Sequence, residues 1–343
     1  MYELSEFLGA YERYKAPGLE NKRITQAGIL PLMKALPALF HTAEVGQSFE
    51  GRTLYGIRVG SGATRVLAWT QMHGDESTAT RSVFDLCRFL ADDSVTFSEI
   101  RNTILSRLSL FIVPMVNPDG AQRWQRENAQ GIDVNRDARR GATPEGRTLQ
   151  NLCRTFAPHF ALNLHDQNSY YSAGASRHPA TFSFQAAPPD AAGSITPTRA
   201  QAMKLIVHLN QKLQALLPQC IGRWNNDYEP RAFGEWFQAQ RVATLLIESG
   251  GYPGDEERNE VRRFHFGILV EALHAIASGA YTQQKIEPYE QLPLNRENGM
   301  FDRIARRTEI TVGGRTFTTD VGRRESETVM GDLDDYGSYD FIL

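Results

Sequence analysis

The stretch Leu67-Ala-Trp-Thr-Gln-Met-His-Gly-Asp-Glu-Ser-Thr78 contains a change from a strand pattern to a helical pattern, and the prediction of the fold starts from it. An apolar run that starts at Val66 predicts a buried strand, and a helical pattern follows from Glu76 to about Leu90. His73 and Glu76 therefore lie three residues apart, where a strand gives way to a helix. Imidazole nitrogen and carboxylate oxygen both bind zinc well, although a His-x-x-Glu motif alone is a weak signal.

On both sides of this stretch, strand patterns alternate with helical patterns from residue 53 to residue 277. This alternation predicts an α/β fold with a mixed, mostly parallel twisted sheet that helices flank on both faces. After Gly279 the composition changes, and residues 308–312 and 315–321 predict a β-hairpin with a two-residue turn. We therefore expect one large domain over residues 1–279, with a helical N-terminal extension over 1–23, and a small β-rich C-terminal extension over 280–343.

The composition is that of an ordinary soluble globular protein, with 343 residues, 41% hydrophobic and 22% charged. A net charge of −3 gives no sign of the positive charge that nucleic-acid binding requires. No apolar run is long enough to predict a membrane-spanning helix. The first residues do not resemble a secretory signal, and the three cysteines predict free thiols. We therefore expect a cytoplasmic protein, although a secreted form that has lost its leader stays open.

Two further candidate residues follow predicted strands, as His73 does. His165 ends the strand that starts at Phe160, and Glu248 ends the strand that starts at Val242. Because ligands bind beyond the carboxyl ends of strands in open α/β sheets, we expect these side chains to converge. Three ligands, His73, Glu76 and His165, leave one zinc position for water, and Glu248 can then act as general base.

Each of these residues also has a structural explanation when taken alone. A histidine at a strand end is more often a hydrogen-bonded, partly buried side chain than a ligand. Glu76 can interact favourably with the dipole at the start of a helix. Glu248 can be a carboxylate whose hydrogen bonds are made by a tight turn beside it. The joint occurrence of these residues with other motifs therefore decides between the two interpretations.

These motifs together resemble the carboxypeptidase A family of zinc metallocarboxypeptidases, and in particular a bacterial, non-digestive member. The resemblance extends over about residues 24–277 and includes His73-Gly-Asp-Glu76. The other matching segments, in the order of the family, are Asn117-Pro-Asp-Gly120, Arg126, Gly131-Ile-Asp-Val-Asn-Arg136, Asn163-Leu-His165 and Ile247-Glu-Ser-Gly250. The residues between and after the zinc ligands, such as Asp75, depart from the digestive members.

The resemblance implies one zinc ion per chain, with His73, Glu76 and His165 as its ligands and Glu248 as the catalytic glutamate. Arg126 matches the arginine that polarises the scissile carbonyl and stabilises the oxyanion.

Further roles implied by the resemblance concern substrate binding. Asn135 and Arg136 match the pair that holds the terminal carboxylate of the substrate, and Asp133 matches the carboxylate that orients the first zinc histidine. Tyr228 lies about one residue from the position of the family's mobile pocket tyrosine. Gly234 falls near the specificity-setting position and places no charge there, although Asp227, Glu229 and Arg231 lie nearby in the sequence.

We therefore predict a zinc-dependent metallocarboxypeptidase that hydrolyses the C-terminal peptide bond of peptides by means of a metal-activated water. The alternative is a zinc amidase or peptidase that acts on cell-wall peptides or acidic side chains with the same site. A binding module with a degenerate site is disfavoured because no ligand or base is lost. The C-terminal extension is a candidate for partner binding or oligomerisation, and the oligomeric state stays open.

Overall fold

The computed structural model describes residues 3–325 and 327–341. Its helices are α1 (Leu4–Gly9), α2 (Tyr11–Tyr14), α3 (Gln26–Lys34), α4 (Thr78–Leu90), α5 (Ser98–Arg107), α6 (Pro118–Arg123), α7 (Pro144–Phe156), α8 (Pro197–Leu213), α9 (Phe233–Ala239), α10 (Asn259–Ser278) and α11 (Glu287–Glu290). Short 3-10 helices span Val134–Arg136, Ala280–Gln283 and Tyr339–Phe341.

The strands follow the same chain order and form one large sheet and several small ones. They are β1 (His41–Gln47), β2 (Thr53–Val59), β3 (Thr64–Thr70), β4 (Leu108–Val113), β5 (Phe160–Asp166), β6 (Ser172–Ala173), β7 (Phe182–Ala186), β8 (Ile221–Arg223), β9 (Ala243–Ser249), β10 (Asn295–Arg296), β11 (Met300–Phe301), β12 (Arg303–Val312), β13 (Arg315–Arg324), β14 (Glu327–Gly331) and β15 (Gly337–Ser338).

The large sheet has eight strands in the order β1-β2-β4-β3-β5-β9-β7-β8. Strands β4, β3, β5 and β9 run parallel to their neighbours in this central block, whereas β1, β2 and β7 introduce antiparallel pairs. The predicted fold class, a mixed sheet between helices, is confirmed. The parallel centre matters for the site because it brings the carboxyl ends of β3, β5 and β9 to one edge.

Helices cover both faces of the sheet, so the central strands are buried on two sides. In β3, Val66 and Ala68 face a core shared with α4 and α10, whereas Leu67 and Trp69 face a second core shared with α7 and α9. The ring of Trp69 stacks on Phe237 of α9 at a centroid distance of 4.7 Å. This two-sided burial explains why β3 is a continuous apolar run and not an alternating one.

The N-terminal segment is attached to the helical layer by a buried ion pair between Asp85 of α4 and Arg262 of α10, 2.6 Å apart. Both side chains are fully buried. Arg262 also donates to the carbonyl oxygens of Ala16 and Leu19, and Tyr11 donates to Asp85. A buried charge is tolerated only when it is paired and hydrogen-bonded, and here the N-terminal backbone supplies part of that pairing.

Two predicted helices differ from the structure in their extent. The sequence pattern predicts helical structure from Leu4 to Tyr14, and the structure divides this segment at Ala10 into α1 and α2. The sequence predicts that the last long helix begins at Asp255, but it begins at Asn259, because the Asp255 carboxylate accepts hydrogen bonds from the backbone N–H groups of Asn259 and Val261. Asp255 therefore stabilises the start of α10 from outside the helix.

The C-terminal segment contains the predicted β-hairpin, formed by β12 and β13 around Gly313 and Gly314, both with positive φ. Positive φ at both central residues is the geometry of a type I′ turn, which favours glycine. Strand β14 adds a third strand, and β10 pairs with β6 of the preceding part of the chain. The division into domains at residue 280 stays a prediction.

A helix needs about 20 mostly apolar residues to cross the hydrocarbon core of a bilayer. Within residues 3–325 and 327–341, no helix is both long enough and apolar enough to cross a bilayer.

We expect Arg262→Met to lower the free energy of unfolding by about 3–5 kcal/mol, because it leaves Asp85 buried without its cation. The matched control is Arg263→Met, since Arg263 is partly exposed and pairs with Glu260 one helical turn away. The control should lose about 1 kcal/mol or less. Urea unfolding of both variants measures the difference, and equal losses would contradict a special role for the buried pair.

Candidate active site

The three candidate residues on separate strands meet because β3, β5 and β9 are adjacent and parallel. His165 lies near the end of β5, and its register partner on β9 is Glu248. His73 follows β3 by three residues, and a turn with a 3.2 Å hydrogen bond from Glu76 N to His73 O returns Glu76 towards the same point. All four residues line one cleft of roughly 1150 Å³ at the carboxyl edge of the sheet.

The carboxylate of Glu76 lies between the two histidine rings. Its Oε1 is 2.7 Å from Nδ1 of His73, and its Oε2 is 2.7 Å from Nδ1 of His165. The backbone N–H of Asp166 also donates to Oε2 over 3.1 Å. Potential ligand atoms of all three residues lie within 4.8 Å of one another.

This donor set fits a zinc ion. Two imidazoles and one carboxylate are the ligand types of many catalytic zinc sites, and both histidines turn Nδ1 towards the shared carboxylate. The other nitrogen of His73, Nε2, is 3.1 Å from Asp133. A carboxylate on the outer ring nitrogen fixes the orientation of a metal-binding histidine and raises its basicity.

The charged and titratable side chains of this group shift one another's pKa values. Burial works to lower the pKa of His73, but the Glu76 and Asp133 carboxylates outweigh it and raise that pKa to about 9. Burial works to raise the pKa of Glu76, yet the two imidazoles hold it well below its ordinary value. The site therefore keeps an anionic carboxylate in a buried position, and a bound cation stabilises such a group.

Arg126 lies beside these residues and is held by Asp133. Its Nε donates to Asp133 Oδ2 over 3.0 Å, and its Nη1 is 3.1 Å from Nδ1 of His73 and 3.4 Å from Glu76 Oε1. The side chain is 41% exposed and lines the cleft. The guanidinium can therefore face a bound molecule as well as the acidic groups behind it.

Asn135 and Arg136 lie in the 3-10 helix that follows Asp133. The Asp133 carboxylate accepts from the backbone N–H of Asn135 over 2.8 Å, so one residue shapes this turn and also contacts His73. Asn135 Oδ1 accepts from the backbone N–H of Phe233 over 2.9 Å. Arg136 lines the cleft with its guanidinium 3.7 Å from Glu229, a distance that leaves the cation available to a second anion.

Glu248 lines the cleft at the end of β9. Burial raises the pKa of this carboxyl well above its ordinary value, and the nearby Glu76 carboxylate raises it further. A raised pKa suits a group that must accept a proton and return it in the same reaction.

Among the predicted site residues that the structure describes, Asp133 and Tyr228 do not line the cleft, and Asp133 lies behind His73. The neighbours of Tyr228, Asp227 and Glu229, do line it, while Tyr228 itself is half-buried outside the lining. Its assignment as the pocket tyrosine stays a prediction.

Several cleft residues were not identified from sequence. Asn163 is buried on β5 two residues before His165, and Tyr171 packs its ring on Trp224 at 5.1 Å. Asp302 and Tyr339 come from the C-terminal segment and line the same cleft. Asn163 belongs to a quoted motif and could have been found by strand alternation, since it shares a face with His165.

The Tyr339 hydroxyl donates to the carbonyl oxygen of Ser169 over 2.5 Å, and Tyr170 donates to Asp302 over 2.9 Å. A Cβ on Gly251 would lie 1.9 Å from the Tyr339 hydroxyl oxygen, so only glycine fits there. The segment after residue 295 therefore supports the loop that follows His165.

Comparison with known sequences places these observations in a family. The sequence profile described as Zinc carboxypeptidase matches residues 29–209. Carboxypeptidase 2 of Trichophyton rubrum and probable carboxypeptidase 2 of Trichophyton verrucosum are each 29% identical over 104 residues, or 30% of this chain. The match spans only 19% of the length of these relatives.

Solved structures show the same fold at low sequence identity. The metallo-carboxypeptidase of Burkholderia cenocepacia has a TM-score of 0.61 at 17% identity, over 75% of this chain and 70% of that chain. The carboxypeptidase A of Helicoverpa armigera has a TM-score of 0.57 at 14% identity, over 82% and 80%. With the profile match over more than half of its residues, the chain belongs to the zinc carboxypeptidase family.

Proposed function

We propose that this protein is a zinc-dependent metallocarboxypeptidase that hydrolyses the last peptide bond of peptides with a free terminal carboxylate. The observation that carries the proposal is the meeting of His73, Glu76 and His165 with Arg136 and Glu248 in one cleft. An exopeptidase of this kind needs two parts. One is a set of side chains that can bind a metal ion, and the other is a cation that can bind the terminal carboxylate of the substrate.

His73, Glu76 and His165 would hold the zinc ion. When bound, zinc lowers the pKa of water towards 7 and polarises a carbonyl oxygen. Asp133 keeps the His73 ring oriented from behind, and the backbone N–H of Asp166 keeps the Glu76 carboxylate oriented. These hydrogen bonds fix the donor atoms before the metal binds, which reduces the cost of ordering them.

Glu248 and Arg126 would carry the proton transfer and the charge stabilisation. Glu248 takes a proton from the attacking water and returns it to the leaving amine, a task for which its raised pKa is suited. Arg126, held by Asp133, faces the negative charge that develops on the scissile carbonyl oxygen. A fixed donor of this kind contributes about 3–4 kcal/mol to the reduction of the barrier.

Arg136 and Asn135 would hold the terminal carboxylate of the substrate. Arginine suits this task because its planar guanidinium can bind a carboxylate through two hydrogen bonds. Asn135 is positioned by the backbone of Phe233, so its amide nitrogen is left to donate to the substrate.

The alternative, an amidase or peptidase for acidic side chains, needs a cation aimed at the side-chain space. Glu229 and Glu235 line the cleft on either side of Gly234 in sequence. The guanidinium of Arg231 instead donates to the Glu229 carboxylate, from Nε to Oε1 over 2.8 Å and from Nη2 to Oε2 over 2.6 Å. This arrangement favours the carboxypeptidase proposal over recognition of an acidic side chain.

The metal assignment predicts that purified protein binds one zinc ion and that His165→Ala loses it, because one of three donors is gone. The control is His159→Ala, an exposed histidine that directly precedes β5, which should keep full occupancy. Elemental analysis after dialysis gives the stoichiometry. Stoichiometric zinc in His165→Ala would show that this residue is not a ligand.

Glu248→Gln removes the proposed base and keeps the shape of the side chain. We expect kcat to fall by about 100- to 10,000-fold while zinc content stays unchanged. Steady-state kinetics on one peptide, together with elemental analysis of the same sample, separates loss of proton transfer from loss of metal. A variant that keeps its rate would remove Glu248 from the mechanism.

Arg136→Met removes the charge that would hold the terminal carboxylate, so KM should rise by about 10- to 100-fold. The control is Arg140→Met, an exposed arginine outside the cleft lining, which should leave KM unchanged. A second measurement compares a peptide with its C-terminally amidated form in the wild-type protein. Equal cleavage of the two forms would contradict the role of Arg136.

A further inference from the structure

Arg258 lies directly before α10 in a backbone conformation that arginine rarely adopts. Its φ is 54°, in the left-handed region that favours glycine because a Cβ is crowded there. The fully buried Arg81 donates to the backbone carbonyl oxygens of Glu257 and Arg258 over 2.8 Å and 3.2 Å, and these bonds hold the turn. A crowded backbone conformation that buried contacts maintain points to a function for the side chain at that position.

The guanidinium of Arg258 joins the segments that follow β5 and β9. Its Nη1 donates to the carbonyl oxygen of Ser249 over 2.8 Å, and its Nη2 donates to the carbonyl oxygen of Gln167 over 2.9 Å. Ser249 directly follows Glu248, and Gln167 lies two residues after His165. The backbone N–H of Gln167 also donates to the Ser249 carbonyl oxygen over 2.8 Å. Arg258 therefore continues the pairing of the two strands just beyond the candidate ligand and the candidate base.

Asp166, the last residue of β5, connects this bridge to Glu76. Its backbone N–H donates to Glu76 Oε2 over 3.1 Å. Its Oδ2 accepts from the backbone N–H and the hydroxyl of Thr78, at the start of α4, over 3.1 Å and 2.9 Å. The Asp166 side chain is 8% exposed, and Nη1 of Arg258 is 3.8 Å from its Oδ2. A buried carboxylate needs hydrogen bonds and a cation, and Arg258 supplies the cation.

Arg258 also lines the cleft, so binding of the substrate is the alternative to a role through other residues. Its side chain is 16% exposed, whereas those of Arg126 and Arg136 are 41% and 40% exposed. Both Nη atoms of Arg258 already donate to backbone carbonyl oxygens. The guanidinium is therefore committed to the protein, which favours the role through other residues.

We infer that Arg258 is a positioning residue that fixes the ends of β5 and β9 relative to each other. It thereby holds His165 and Glu248 in the arrangement that the proposed metal binding and proton transfer need. This role rests on the proposed function and deepens it, because it concerns the same site.

Two substitutions separate the bridge from the backbone and from the charge. Arg258→Gly removes the guanidinium and introduces the residue that this backbone conformation favours, so the turn is not strained further. Arg258→Lys keeps the positive charge, but an ammonium group cannot reproduce the planar fork of a guanidinium. The matched control is Arg241→Gly, since Arg241 is an exposed arginine with a φ of 63° that lies outside the cleft lining.

The full-length variants are compared by zinc affinity, measured in competition with a chelator, and by peptide hydrolysis at saturating zinc. We expect both Arg258 variants to bind zinc about 10- to 100-fold more weakly than the wild-type protein. Their kcat should fall by about 10- to 100-fold while KM stays within about threefold, because the reacting groups are misaligned and the carboxylate-binding residues are kept. Arg241→Gly should match the wild-type protein in all three quantities.

Other results would overturn this role. Wild-type zinc affinity and kcat in Arg258→Gly would show that the bridge is not needed. Wild-type values in Arg258→Lys alone would show that only the charge matters. A rise in KM of about 10-fold or more with kcat unchanged would instead assign Arg258 to substrate binding.

The zinc measurement also separates this role from the proposed function. If the wild-type protein binds zinc but cleaves no peptide, the proposed function fails. The zinc affinities of the two Arg258 variants and of Arg241→Gly then decide the positioning role by themselves.

Discussion

The contact on which the site depends is the carboxylate of Glu76 held between two imidazole nitrogens at 2.7 Å each. One imidazole follows β3 and the other ends β5, so the contact links a loop to the neighbouring strand. It exists only because these strands are adjacent, parallel and in the observed register. The sheet topology is therefore a requirement of the chemistry, and the buried cores on both faces hold that topology in place.

Asp133 has a comparable role on the other side of His73. One carboxylate contacts the outer nitrogen of the histidine, the guanidinium of Arg126 and the backbone N–H of Asn135. The orientation of a candidate ligand, the candidate oxyanion donor and the start of the carboxylate-binding turn are thus set together. A change at Asp133 alters all three, so its effect on activity is not the loss of a single contact.

The sequence predicts the parts of the fold where burial leaves a strong pattern. Strands β3, β5 and β9 are apolar runs with a polar residue at the end, and both the sheet and the ligand residues follow from them. Helix α5 was not predicted, because only Ile100, Arg101 and Ile104 of its ten residues are buried and it has little apolar periodicity. Strand β14 was missed because it is short and mostly exposed, so no alternation marks it.

Part of the cleft wall could not be predicted from the sequence. Asp302 and Tyr339 lie far along the chain from the motifs, and no spacing rule connects them to His165. The hydroxyl of Tyr339 rests against Gly251 and the loop after β5, so the wall depends on contacts between distant segments.

This dependence has a consequence for the newly made protein. A nascent chain that has been synthesised as far as Glu248 already contains every proposed catalytic residue, yet it lacks the segment that closes one side of the cleft. The order of synthesis therefore separates the appearance of the reactive groups from the completion of the surface that receives a substrate.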